Sequence, residues 1–169
     1  MGRIKYQVSS KILLTIYNSL ILSHLHYGIL CWGFKCHKLF ISQKKAIRII
    51  CKTKYNAHTD KLFKNLKLLK IEDIFKIQCL KFYYRLCHDK LPLYFSTNFR
   101  FIRNADVHDR QLRHGNRFRV ERVNRITTRQ TIRHYLPNLL NNTPETITNS
   151  IHTISILSFK KRIKKSYIN

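Results

Sequence analysis

Carboxylates are scarce in this sequence. Eight Asp and Glu stand among 169 residues, against 33 Lys and Arg, for a formal net charge of +25. Metal-assisted phosphoryl or nucleotidyl transfer needs carboxylates to hold the ions. No Asp-Asp or Asp-x-Asp pair occurs. The nearest approach, Glu72-Asp73, suits the first turn of a helix, where the macrodipole favours acids. There is no Gly-rich phosphate loop. Zinc is the one metal to weigh, because His24, His26, Cys31, Cys36 and His37 are close in sequence and Cys87-His88 follows. Structural zinc takes paired ligands two to four residues apart, twice. Here the spacing is irregular and Cys31 sits in an apolar run. The five cysteines, an odd set with apolar neighbours, read as reduced buried thiols of an intracellular chain. The sequence therefore predicts no catalytic residue, no metal and no cofactor.

Positive charge is abundant, and it is patterned. Residues 98–134 hold ten arginines and no lysine: Arg100, Arg103, Arg110, Arg113, Arg117, Arg119, Arg122, Arg125, Arg129 and Arg133. A planar guanidinium pairs bidentately with phosphate and stacks on bases, which an ammonium cannot do. Phe99, Phe101, Phe118 and Tyr135 interleave, as base stacking would want. A second set, Lys44, Lys45, Arg48 and Lys52, steps by three or four along one helical stretch. It reads equally as a solvated face or as a stripe facing phosphates. The candidate nucleic-acid-binding residues are these four with Arg117, Arg119, Arg122, Arg125, Arg129 and Arg133.

The elements that must carry these side chains are mostly helices. Gly is rare (4) and Pro rarer (3), and 44% of the chain is hydrophobic, enough for a packed core. Residues 12–34 carry no charge at all. Leu13, Ile16, Tyr17, Leu20 and Ile21 fall on one helical face, and the run is expected to form two helices bent near Ser23-His24. Its length would span a bilayer, but two His, one Asn and two Ser near its middle would be costly there. Residues 39–52 are amphipathic, with Phe40, Ala46, Ile47 and Ile50 inward. Thr59 is expected to cap a short helix over 60–66. The longest helix is expected over 71–89, apolar round most of its circumference, and ended by Leu91-Pro92. Within 117–134 the pattern leaves hairpin and helix both open. Phe118 and Val120 alternate like a strand, while Arg122, Arg125, Arg129 and Arg133 step like a helix face. Leu136-Pro137 is expected to precede a short apolar patch, and Pro144 to open a weak helix. The last helix, over 155–167, carries Lys160, Lys161, Arg162, Lys164 and Lys165. That run has the composition of a nuclear-localisation patch and equally of a solvated helix end.

Four segments together resemble the C-terminal region of reverse transcriptases of non-LTR retrotransposons of the jockey/LINE kind. They are ILLTIYNSLILSHLHYGILCWG (12–33), QKKAIRIIC (43–51), YNAHTDKLFKNLKLLKIEDIFKIQ (55–78) and TIRHYLPNLLNNTP (131–144). The Tyr-Gly-x-x-x-Trp-Gly ending of the first lies in register with the Ala-His-Thr of the third. The resemblance covers nearly the whole chain. It implies a helical thumb, which holds the template–product duplex, following a palm whose aspartates have no counterpart here. On this alignment Met1 begins just after that palm. Ser23 stands where the family usually has Pro, Leu112-Arg113 where Thr-Arg is common, and the Cys/His knuckle of some members is not seen.

The expectation is thus a mainly α protein: a helical thumb-like bundle over 1–97, an Arg-rich irregular or β-hairpin arm over 98–135, and a C-terminal helical cap over 136–169. The expected function is that of a truncated RNA-directed DNA polymerase fragment that binds RNA or RNA–DNA hybrid through phosphates, with no enzymatic activity of its own. The missing palm is a second expected partner. The expected location is intracellular, with the nucleus the further expectation, and not secreted. The alternatives are a membrane-associated basic protein with 12–34 inserted, and a degenerate copy without function.

Overall fold

The uncharged run becomes two helices joined by a sharp break. In the computed structural model, which describes residues 2–107 and 113–168 except the side chain of Ile168, α1 spans Ser10–His26 and α2 spans Ile29–Lys35, bent by 61°. Arg110 and Leu112, singled out above, lie outside the described residues. Ser9 caps α1, its side-chain oxygen accepting the Ile12 N–H at 3.4 Å. The expected bend at Ser23-His24 does not occur. Residues Tyr17–Leu22 form a π-helical stretch, and the Thr15, Ser19 and Ser23 hydroxyls bond back to carbonyls one turn earlier. Those bonds satisfy the hydroxyls without ending the helix. Gly28 makes the break four residues beyond His24, at φ +59°, a left-handed conformation that glycine adopts without a Cβ clash. Trp32 Nε1 donates to the Tyr27 carbonyl at 3.1 Å and closes the corner. Gly33 lies so close to the Phe75 ring that a Cβ there would collide with it. In the Tyr-Gly-x-x-x-Trp-Gly segment, both glycines and the tryptophan therefore have geometric work.

Two compact units form, Met1–Phe75 with Lys165–Asn169, and Lys76–Lys164. About 68% of the chain is helical and no strand is found among the described residues, so the fold is mainly α. In the first unit α3, His37–Ile50, and α4, Asp60–Asn65, join α1 and α2. Leu13, Tyr17, Ala46, Ile47, Ile50 and Phe63 form its buried cluster, full burial of each Leu, Ile or Phe being worth about 1.5–3 kcal/mol. Phe40 packs at the edge of that cluster. Gln43 is the polar centre. Its Nε2 donates to Tyr17 Oη and to the Leu69 carbonyl, both at 2.9 Å, and its Oε1 accepts the Ile71 N–H at 3.0 Å. That last bond satisfies an orphan donor at the start of α5, Ile71–Cys87. Thr59 holds the position before α4 but makes no side-chain cap bond.

In the second unit, residues Lys76 onward of α5 are followed by α6, Leu93–Asn98; α7, Ile126–Arg129; α8, Ile132–Asn142; α9, Glu145–Thr153; and α10, Ile156–Ile168 up to Lys164. Pro137 lies inside α8, which runs on through the short apolar patch expected after it. It is buried, as are Leu136, Leu139 and Leu140, and apolar packing outweighs the one lost helical donor. Tyr84 stacks on Phe159 with ring centroids 4.9 Å apart, and its hydroxyl donates to the Ile154 carbonyl at 2.8 Å. Among the described residues no single helix is long and apolar enough to cross a membrane, and only the bent α1–α2 pair reaches the length and composition.

Candidate nucleic-acid interface

On the first unit the candidate cations Lys44, Lys45 and Arg48 sit on α3, with Lys52 just beyond it, and they do not form one stripe. Lys44 places its ammonium 4.2 Å from the centre of the Phe40 ring, and its charge helps hold the Asp60 carboxyl below its ordinary range. The larger cause there is the hydrogen bond from Lys70, whose Nζ lies 2.7 Å from Asp60. Lys45 and Arg48 lie together instead, lining a cavity of about 260 Å³ with Lys5, Ile49, Thr53 and Tyr55. Arg48 is half-buried, and its Nε donates to the Ala57 carbonyl at 2.9 Å. One of its donors therefore pins the 51–58 loop, leaving the rest of the fork for a ligand. Lys52 is exposed at φ +53°, just past the end of α3. Sequence reasoning missed Lys5 and Tyr55; Tyr55, 84% exposed, had its signal in lying among basic residues with no apolar period.

On the second unit the arginine-rich segment is a fold-back followed by helix starts. Residues 102–105 run against 115–119: Asn104 N–H donates to the Arg117 carbonyl and Arg119 N–H to the Ile102 carbonyl, both at 2.9 Å, around an antiparallel bridge of Arg103 with Phe118. Asn141 of α8 clasps the return limb, accepting the Phe118 N–H at 2.8 Å and donating to its carbonyl at 2.9 Å. Arg122 and Arg125 precede α7, Arg129 ends it, and Arg133 lies in the first turn of α8. The single helical face that their spacing allowed is not formed. All six candidate arginines are exposed.

The interleaved aromatics are a correction. Phe99 and Phe82 approach to 5.4 Å between centroids, Phe101 and Tyr83 to 5.8 Å, Phe118 and Tyr83 to 6.0 Å. Edge-to-face packing of this kind adds about 0.5–1.5 kcal/mol per pair beyond area burial, so these rings hold the arm to α5 and are not a free stacking ladder. Arg103 lies over Phe118 at 5.6 Å.

The fold brings Arg119 and Arg133 together at one cavity, with Arg100, and Arg117 together with Arg103 at another of about 440 Å³. Arg100 and Arg103 belong to the ten arginines of the segment but not to the six singled out. A further basic cluster joins α5 to α10. Burial holds the Lys81 ammonium below its usual range, and Lys160, Arg85 and Lys164 push it lower still. Burial also pushes up the thiols of Cys36, Cys51, Cys79 and Cys87, Cys79 to about 12, so these are poor nucleophiles. No group of three or more His, Cys, Asp and Glu converges among the described residues. Comparison with protein families, curated proteins and solved structures finds no match for the chain.

Proposed function

We propose that the chain binds RNA or an RNA–DNA hybrid through phosphates, as the thumb-like region of a non-LTR retrotransposon reverse transcriptase and without polymerase activity of its own. The observation that carries this reading is electrostatic. Arg117, Arg119, Arg122 and Arg125 stand exposed with no carboxylate partner among the described residues, and Arg133 meets Glu121 only at 3.7 Å. Exposed pairs of that kind contribute about 0–1 kcal/mol, so little competes with a phosphate. The lysines of α3 supply a second positive surface. The geometric roles of Gly28, Trp32 and Gly33 support the family resemblance, since they give the shared segment a shape to preserve. Ile12, Leu20 and Tyr27, at 50%, 61% and 83% exposure, offer apolar surface to a palm, although Ile29 beside them is buried.

The test is binding to a labelled RNA–DNA hybrid across a salt series. Contact with about five phosphates gives a slope of log K on log salt near −4 to −5, and Arg122→Gln lowers its magnitude by about 1. A flat salt response overturns the binding reading. Primer extension by the purified chain overturns the claim that it lacks polymerase activity. The same exposed apolar residues on the bent α1–α2 pair favour a second reading, insertion into a membrane. Retention of the chain in carbonate-washed membrane pellets would select it over the first.

A further inference from the structure

Arg100, Arg119 and Arg133 come from three separate segments. Arg100 follows α6, Arg119 is on the return limb of the fold-back, and Arg133 is in the first turn of α8. All three line one cavity of about 250 Å³, together with Glu121 and His134. Their convergence is a product of folding, not of a run in the sequence. We propose that this cavity binds a terminal phosphate monoester of a nucleic-acid strand. The inference rests on the nucleic-acid reading above and narrows it from backbone to strand end.

Charge selects the monoester. Three guanidinium groups and one carboxylate sum to 3 − 1 = +2 at the cavity. A phosphate monoester carries about −1.5 to −2 at pH 7, whereas an internal diester carries a single charge. Glu121 already occupies one face of Arg133, but at 3.7 Å and with both side chains more than 60% exposed, so it is readily displaced. The backbone adds to this. Thr131 precedes α8 without a side-chain cap, its hydroxyl donating instead to the Thr128 carbonyl at 2.7 Å. The first-turn N–H groups therefore keep their preference for an anion, and Arg133 and His134 of that turn line the cavity. His134 Nδ1 is buried with no hydrogen-bond partner, an unsatisfied polar atom of the kind that native folds seldom carry without a use. Phe101, Ile102 and Pro137 complete the wall and offer an apolar surface to the terminal sugar. The volume is several times the roughly 30 Å³ share of one water, so the phosphate and part of its sugar fit.

The experiment uses the full chain and three single-stranded oligonucleotides of one sequence, ending in a 5′-phosphate, a 3′-phosphate or hydroxyls only. Affinities come from competition against a labelled strand at about 0.15 M salt. One phosphorylated oligonucleotide should bind about tenfold tighter than the hydroxyl form, as about one net charge-assisted hydrogen bond would give. Which of the two gains identifies the end recognised. Excess inorganic phosphate should erase the difference. Arg100→Gln should bring the ratio toward one, and Glu121→Gln, which removes a competing charge, should raise it; circular dichroism checks that both variants keep the helical content. A gain on Glu121→Gln cannot come from lost folding. Equal binding of all three oligonucleotides overturns the pocket and leaves the broader reading standing, and so does a ratio unmoved by Arg100→Gln. Failure of all three to bind at low salt overturns both.

Discussion

Gln43 ties together parts of the first unit that lie 26 to 28 residues away in sequence. Its amide reaches α1 through Tyr17, the 66–70 link through Leu69, and the start of α5 through Ile71. Removing it strands a buried phenol and a buried backbone N–H. Each such group costs about 1–3 kcal/mol, so Gln43→Ala should lower stability by about 2–6 kcal/mol in urea unfolding; a loss below about 1 kcal/mol would show that the amide is dispensable. Periodicity does place Gln43 inward, since Ile47 and Ile50 follow at i+4 and i+7. It could not name the partners, because nothing local encodes a bond to Leu69 or Ile71. The same limit explains the aromatic misreading. Phe99, Phe101 and Phe118 alternate with arginines in sequence, and only the fold brings them against Phe82 and Tyr83.

Helix positions were largely legible: α3, α4, α5 and α10 fall within about two residues of their expected limits. Apolar spacing and first-turn acids such as Asp60 and Glu72 carry that information locally. The corner between α1 and α2 was not. Polar residues at 23–26 looked like an interruption, but Ser23 bonds back to the Ser19 carbonyl, the helix runs on through His26, and one left-handed glycine decides the break. The two glycines of this corner should respond differently to alanine. Gly28→Ala should cost about 1–2 kcal/mol in backbone strain alone, because its Cβ would meet Trp32 only at 3.5 Å, an ordinary contact. Gly33→Ala has unstrained backbone but drives a methyl into the buried Phe75 ring. Overpacking of this kind costs typically 1–3 kcal/mol and sometimes more, and should be the larger of the two in thermal melts. The reverse order would mean that Phe75 moves aside freely.

A net charge of +25 on 169 residues strains the whole molecule, since like charges oppose compaction. The mutual repulsion around Lys81 is a local instance of it. A polyanion that binds the folded chain at about 100 times its Kd should add about 2.7 kcal/mol. For a chain of this size that raises Tm by roughly 5–10 °C. Heparin should therefore stabilise far more than sodium chloride at equal ionic strength, and equal effects would mean that simple screening suffices. Composition raises the expectation of an anionic partner; which arginines share a cavity was not legible, because Arg100, Arg119 and Arg133 meet only through the fold-back and its Asn141 clasp. The π-helical stretch in α1 bears on how such chains can change in length. A π turn houses one residue more than an α turn would. Deleting Ser19 should let the turn tighten to α and leave Leu13 and Leu25 on the same face. Deleting Ser42 from α3 would instead rotate everything beyond it by about 100° and carry Ile47 and Ile50 out of the core. Melting curves of the two deletions should separate widely. Lineages descended from this sequence are then expected to lose or gain a residue at 17–22 more readily than within α3.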